Sequence, residues 1–326
     1  MNRVTPAAAD ARPAAAGPAL PLRVGCGEWG FRALPMPEHF AIAAGFGFDE
    51  LEFGIGGGQT GRLPEEPSTA DVAAFRALAA ASGIATPCCC IENDFTLPDA
   101  AAHEAAVAKA VAQSRAAAAC GARQVRFFAG FTPYAEMTGA IWGRLLGALV
   151  ACDRELERLG LAMAIETHGA IRWNADGSAT HVHTATTHRD GLRRLLTELP
   201  ARIGFNFDPG NIRAADPSDP RCAVDLLAGR ITYCHLKDWV RSGAGWTAGA
   251  VGDAPDGIDW AELLPRTGYA GTFLVEYEPL GDTSDGIRRS LDHLRAAGFD
   301  LRFAGTDAAE KHGPEMHGSG SHGPGA

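Results

Sequence analysis

Eight short apolar runs punctuate the chain, and longer segments of helical period separate them. The runs fall at 22–29 (LRVGCGEW), 49–55 (DELEFGI), 84–92 (IATPCCCIE), 124–130 (QVRFFAG), 161–168, 202–208, 231–237 and 271–277. Their length and near-continuous apolarity are those of strands buried on both faces. Helices are expected between them. The segment 68–82 opens at Ser68 or Thr69 and ends before Gly83, 99–120 ends before Gly121, and 137–159 ends before Gly160. Shorter helices are expected over 188–199, stopped by Pro200, then over 220–229, 259–266 and 285–297, the last ending before Gly298. Eight β runs with interleaved helices predict the α/β class and a single closed (β/α)8 TIM barrel over residues 21–303. Residues 1–20, rich in Ala and Pro, and residues 304–326, rich in Gly and His, lack either period and are expected to be disordered tails. His312, His317 and His322 belong to the second tail and are expected to be solvated.

Composition narrows the classes. With 326 residues, 46% hydrophobic and 21% charged, the chain can bury one large core without a second domain. Its formal charge is -10, and no Lys/Arg run or basic amphipathic helix offsets it, so nucleic acid and anionic membrane surfaces are excluded as partners. Cys88, Cys89 and Cys90 fall in succession in one strand, where alternate side chains face opposite ways and cannot form a disulfide ladder. No C-x-x-C pair occurs among the eight cysteines, so they are read as small buried residues in a reducing, cytoplasmic setting. The opening MNRVTPAAADARPAAAGPALP is broken by charges and prolines and carries no signal-type apolar core.

The chemistry gathers at the ends of four runs. LAMAIE, RIGFNFD, ITYCH and TFLVE close on Glu166, Asp208, His235 and Glu276. In a parallel barrel the carboxyl ends of the strands converge on one open face, so these four side chains can share a cation. Strand alternation places His168, Lys237 and Glu278 on the same inward side, above Glu166, His235 and Glu276. The same parity places Asn206 beneath Asp208 and Tyr233 beneath His235 as supporting or packing residues. Two plainer roles stay open: Lys237 pairing with Asp238 or another surface carboxylate, and His168 capping a loop. Three carboxylates and one imidazole make a hard, oxygen-rich set, for which Mn²⁺ is the expected ion and Mg²⁺, Co²⁺, Zn²⁺ or Fe²⁺ are compatible. Vicinal oxygens of a polyol or ketose could complete the coordination, with the metal stabilising an enediolate while Glu166 and Glu276 act as base and acid from opposite walls.

Candidates from the first four strands are Glu28, Trp29, Glu52, Glu92, Asn93 and Arg126. Trp29, Trp239 and Trp246 could pack on the apolar face of a sugar ring, with a structural role as the alternative for each. GIGGGQTGR (54–62) lacks the Lys-Ser/Thr ending of a phosphate-binding loop, so no phosphate on the substrate is argued for. The segment 172–188, with His181 and His183, is long for a βα loop and reads either as a flap over the site or as a surface excursion.

The motifs IETHG (165–169), NFDPGN (206–211), CHLKD (234–238), GDAPDGIDW (252–260) and LVEYE (274–278) resemble those of the xylose-isomerase-like sugar phosphate isomerases/epimerases, over roughly residues 22–300. The resemblance implies a TIM barrel that binds one divalent metal through Glu166, Asp208, His235 and Glu276, with both glutamates also moving protons. It implies a small carbohydrate as substrate, for which His168, Asn211, Lys237, Glu278, Arg126 and Trp29 are the expected contacts, and leaves a homo-oligomer or a partner subunit open. Many of these enzymes carry Asp-x-x-His after the sixth strand, where this chain has Asn211, which can hydrogen-bond a hydroxyl but cannot carry a proton. A turn role after Pro209-Gly210 competes for Asn211. Isomerase or epimerase chemistry is the first expectation, and a lyase or dehydratase using the same proton abstraction is the second. Abasic-DNA repair on the same barrel needs several zinc ions and more histidines than the strand ends offer. A non-catalytic binding barrel is the remaining alternative.

Overall fold

The computed structural model describes residues 19–303; residues 1–18 and 304–326, on which most of the tail expectation and His312, His317 and His322 fall, lie outside the described residues. In chain order, the first half runs β1 (Leu20–Cys26), α1 (Met36–Phe46), β2 (Phe53–Ile55), α2 (Thr69–Ser82), β3 (Cys88–Ile91), α3 (Ala100–Cys120), β4 (Gln124–Phe128), α4 (Gly139–Leu159) and β5 (Ala162–Glu166). A hairpin of β6 (Ala170–Trp173) and β7 (Ala179–Val182) precedes α5 (Arg189–Glu198), β8 (Gly204–Phe207), α6 (Pro209–Ala215), α7 (Val224–Leu227) and β9 (Ile231–Leu236). A second hairpin, β10 (Asp238–Ser242) and β11 (Gly245–Gly249), leads to α8 (Trp260–Arg266), β12 (Phe273–Val275), α9 (Thr283–Ala296) and β13 (Phe299–Arg302).

Among the described residues eight strands close into the barrel. β2, β3, β4, β5, β8, β9, β12 and β1 pair in that order, all parallel. The ring closes where Cys26 bridges Leu51 just ahead of β2, with hydrogen bonds from Cys26 N to Glu50 O and from Glu52 N to Cys26 O. β13 adds an extra strand: it pairs with Leu20–Arg23, while β12 pairs with Val24–Cys26, so one long strand serves two neighbours.

Helix ends follow the local chemistry. Ser68 caps α2 in a reciprocal capping box with Asp71, Asp99 caps α3 and Thr138 caps α4. α1 and α6 were not anticipated: each starts at a proline-bearing turn after a strand, a position that reads equally as a loop. The helix expected over 220–229 shrinks to the single turn Val224–Leu227.

The main apolar core lies between the barrel and its helices, while Cys88, Ala164, Tyr233 and Leu274 form an apolar layer inside the barrel. Cys89 packs outward into the main core and Cys90 inward against Glu52, as strand alternation requires, and all eight cysteines are free and buried. No helix among the described residues is long and apolar enough to cross a membrane.

The excursions after β5 and β9 are not separate loops. They join into one antiparallel sheet in the order β10-β11-β7-β6, through the pairing of Trp246 with Ala179. Trp239, Trp246, Ala179 and Ala214 cluster beneath it and fasten it to α6. Gly245 sits at this seam, where a Cβ would lie 2.3 Å from the Ala179 carbonyl and 2.8 Å from Asn174 Nδ2. Gly245→Ala should therefore part the two hairpins and leave the barrel folded, because backbone cannot yield at that distance. Hydrogen exchange should quicken at 170–182 and 238–249 and stay unchanged in β3, β4 and β5; equal protection throughout would show that the seam does not hold the sheet.

Candidate active site

Each candidate ligand sits where a strand ends. Glu166 closes β5, Asp208 follows β8, His235 lies one residue before the end of β9 and Glu276 follows β12. One ligand atom from each lies within 4.8 Å of the others, and none of the four residues is more than 3% exposed. Asp208 is the N-cap of α6: its Oδ1 accepts from Asn211 N at 3.0 Å, leaving Oδ2 to face the cluster. Pro209 starts the helix, and Gly210 lets it approach β9, since a Cβ there would lie 2.4 Å from the Lys237 carbonyl oxygen.

Lys237 and Glu278 reach the cluster from above. The Lys237 ammonium lies 3.1 Å from Asp208 Oδ2, 2.7 Å from Glu276 Oε2 and 2.5 Å from Glu278 Oε1. It pairs with buried site carboxylates rather than with Asp238, whose own Oδ1 and Oδ2 accept from the backbone of Trp239 and Gly252. Arg126 approaches from β4, with Nε 2.9 Å from Glu166 Oε2 and its guanidinium 4.2 Å from the Phe128 ring centre. Glu166 Oε2 and Glu276 Oε2 are buried and make no aligned hydrogen bond despite these cations. Two carboxylate oxygens held only by ion pairs, a capped aspartate and an imidazole are a donor set that could hold a divalent cation.

Asn211 stands behind the ligands. Its Nδ2 donates to Glu166 Oε1 at 3.2 Å and to Asp208 Oδ2 at 2.9 Å, and its Oδ1 accepts from Trp239 Nε1 at 3.2 Å. It is a helix residue with its amide wholly used, not part of a free turn, and it does not line the cavity above the cluster. Asn206 and Tyr233 lie lower: Asn206 Nδ2 is 3.2 Å from His235 Nδ1, and the Tyr233 hydroxyl donates to Glu52 at 2.7 Å.

The cavity holds about 250 Å³. Its floor is Glu166, Glu276, Lys237 and Glu278, and its walls are Trp29, Arg32, Glu92, Arg126, Phe128, Phe131, His168 and Trp239, with Ile171 and Trp173 of the hairpin sheet at the rim. Of the candidates beyond the ligands, Trp29, Glu92, Arg126, His168, Lys237, Trp239 and Glu278 thus share one cavity. His168 is wedged edge-on against Phe128 and Phe131, with Nδ1 2.6 Å from the Gly169 carbonyl. Glu28 is wholly buried beside Arg62, Asn93 clips the backbone of Phe128 with both ends of its amide, and Trp246 is enclosed in the hairpin sheet. A cleft of about 380 Å³ among Arg23, Glu50, Arg123 and Tyr269 lies at the amino ends of the strands, away from every candidate ligand.

Burial and charge split the carboxylates. Burial pushes Glu166 up to about 7, against the opposing pull of Arg126, and raises Asp208 to about 6 against Lys237. Burial pushes Glu276 upward too, but His235 and Lys237 outweigh it and hold that carboxyl below its usual range. Burial disfavours charge on His235, yet Glu276 and Glu52 overcome it and lift the imidazole to about 10. His168, buried and near Lys237, is pushed well below the ordinary imidazole value, so it is a neutral ring.

Sequence reasoning missed the hairpin sheet and the cavity residues Arg32, Phe128, Phe131, Ile171 and Trp173. A signal existed: Asn174-Ala175-Asp176-Gly177 between IRW and ATHV, and Ser242-Gly243-Ala244-Gly245 between DWVR and WTA, are hairpin turns between alternating strands.

No curated protein matches the chain in sequence. Among solved structures, a xylose isomerase domain protein from Planctomyces limnophilus superposes with a TM-score of 0.65 at 18% identity, over 86% of this chain and 98% of its own. An L-ribulose 3-epimerase superposes with a TM-score of 0.63 at 15% identity, over 90% and 99%. The IolI protein, crystallised with a zinc atom, superposes with a TM-score of 0.64 at 13% identity, over 86% and 100%. These likenesses establish the fold. The model of the xylose isomerase-like TIM barrel family matches residues 40–297, most of the chain, and the protein belongs to that family.

Proposed function

We propose that the protein is a divalent-metal-dependent isomerase or epimerase of a sugar, keto-sugar or polyol. The observation that carries this reading is the convergence of Glu166, Asp208, His235 and Glu276 to within 4.8 Å at the carboxyl ends of β5, β8, β9 and β12. The zinc atom of the IolI structure and the epimerase activity named for the L-ribulose enzyme, both on this fold, support it. Mn²⁺ is the expected ion because the donors are mainly hard oxygens, with Mg²⁺, Co²⁺ and Zn²⁺ compatible. When bound, the ion supplies Lewis-acid stabilisation of negative charge developing on a substrate carbonyl oxygen.

The protein's own groups do the rest. Glu166 and Glu276 face each other across the floor and exchange the proton on the carbon next to that carbonyl, from opposite faces of an enediolate. Their unequal environments suit one to hold a proton and the other to take it. Lys237 and Arg126 present N–H groups to substrate oxygens, Glu278 orients Lys237, and Trp29 offers a flat apolar wall to the ring. The neutral His168 borders the same cavity as a hydrogen-bonding neighbour of the substrate. Free, buried cysteines are in keeping with a reducing cytoplasmic setting.

Exhaustive chelation should abolish turnover of a ketose and polyol panel, and Mn²⁺, Mg²⁺ or Co²⁺ should restore it. Full activity in protein shown metal-free by elemental analysis would reject the site. Product mass separates the chemistry further, since epimerisation conserves it and dehydration lowers it by one water.

His235→Ala should lose most metal occupancy, because a methyl group leaves one coordination position without its nitrogen. The barrel should still melt cooperatively, since the mouth residues are not its apolar core. A variant with wild-type metal content would remove His235 from the ligand set.

Glu166→Gln and Glu276→Gln keep an oxygen toward the metal but remove a base, so turnover should fall by at least roughly 10²-fold even at saturating metal. In deuterated water the wild type should label the carbon that exchanges its proton. Label without turnover in Glu166→Gln would assign the first abstraction to Glu276, and the reverse would assign it to Glu166. Wild-type turnover in both metal-loaded variants would refute the two-glutamate mechanism.

A further inference from the structure

Glu52 precedes β2 and lies beneath the ligand cluster, outside the cavity wall. Its carboxylate is enclosed and met by donors on both oxygens. Oε1 faces the Tyr233 hydroxyl at 2.7 Å, His235 Nε2 at 3.1 Å and the Cys90 thiol, while Oε2 accepts from the backbone N–H of Glu28 at 3.1 Å. β2 and β9 are not neighbours in the barrel, so the contacts with Tyr233 and His235 cross its interior. An enclosed carboxylate is tolerated only when such donors compensate its charge.

The arrangement constrains His235. A carboxylate only accepts, so the ring nitrogen opposite it must carry hydrogen. That nitrogen is Nε2. Nδ1 is then the atom turned toward the ligands, 3.5 Å from Glu276 Oε2, with Asn206 Nδ2 at 3.2 Å on its flank. From this geometry we infer that Glu52 is a positioning residue for the metal site: it keeps one proton of His235 on Nε2 and the ring in place, so that Nδ1, which faces Glu276 and gives up its own proton when the cation binds, is turned to the ion. The inference rests on the metal-site reading above and adds to it a residue that touches neither metal nor substrate. Such carboxylate–imidazole support typically governs affinity by orienting and polarising the ligand.

The rival is a purely structural brace across the barrel. Tyr233→Phe serves as the control, because it removes one donor to Glu52 and leaves the Glu52–His235 contact intact. Glu52→Gln removes the charge, and its NH₂ group must point at a donor on one side or the other, so the instruction to His235 weakens while side-chain volume stays.

The experiment is Mn²⁺ titration of full-length wild type, Glu52→Gln and Tyr233→Phe by isothermal calorimetry, with thermal melts of each metal-free protein. Glu52→Gln should bind Mn²⁺ roughly 10- to 100-fold more weakly, the range for lost support of a ligating histidine, and Tyr233→Phe should bind within about threefold of wild type. Independently of any Glu52 variant, ¹⁵N NMR of zinc-loaded wild type should find the His235 proton on Nε2, with its resonance assigned by its absence in His235→Gln. A proton on Nδ1, or unchanged Mn²⁺ affinity in Glu52→Gln, would overturn the role of Glu52 and leave the metal site standing. An equal loss of affinity in Tyr233→Phe would favour the brace. Failure of wild type to bind Mn²⁺ or Zn²⁺ would remove the metal reading, and the role of Glu52 with it.

Discussion

Charge without water is the constraint on which this barrel turns. Glu28, Glu52, Glu166, Asp208 and Glu276 are each at most 3% exposed, and Arg62, Arg126, Lys237 and His235 are buried among them. A carboxylate moved out of water loses more than a single ion pair returns, so each must be held by several donors or share a cation. The chain meets this in layers. An apolar base of Cys88, Ala164, Tyr233 and Leu274 gives way upward to hydrogen-bonded Glu52 and His235, and then to the ligands and Lys237 at the mouth. Arg62, Arg126, Lys237 and the raised imidazole of His235 stand against these five carboxylates, and Glu166 Oε2 and Glu276 Oε2 are left without an aligned hydrogen bond.

Positioning falls to backbone features that carry little chemistry themselves. The N-cap role of Asp208 uses one of its oxygens and leaves the other to the cluster, while the fully bonded amide of Asn211 ties Glu166 and Asp208 together and reaches Trp239. Trp239 belongs to the hairpin sheet, so the cover over the mouth and the ligands beneath it are joined by one hydrogen-bonded path. Asn211 after β8 is thus a brace that cannot itself carry a proton.

The cavity has two characters. Its floor is charged, whereas Trp29, Phe131, Ile171 and Trp173 make the outer part aromatic and aliphatic. An enclosed polar floor strengthens electrostatic interactions with whatever occupies it, and apolar walls exclude water.

The amino-acid sequence by itself determined the barrel and which strand-end side chains converge at its mouth. Eight apolar runs with capped helices between them admit one closed parallel architecture, and strand alternation then forces Glu166, Asp208, His235 and Glu276, with His168, Lys237 and Glu278 above them, toward a common axis. Those are local properties, set by period, caps and strand ends within a few residues. Only tertiary structure decided the rest, because it depends on contacts between residues far apart in the chain. In the sequence Glu52 reads as a substrate-side candidate of the first four strands, yet its contacts with Tyr233 and His235 across the barrel make it a partner of the imidazole. Whether 172–188 formed a flap or a stray loop was set by its pairing with a second hairpin some 65 residues later, at Trp246 and Ala179. Asn211 was ambiguous for the same reason: its role rests on Glu166 and Trp239, neither of which is a sequence neighbour.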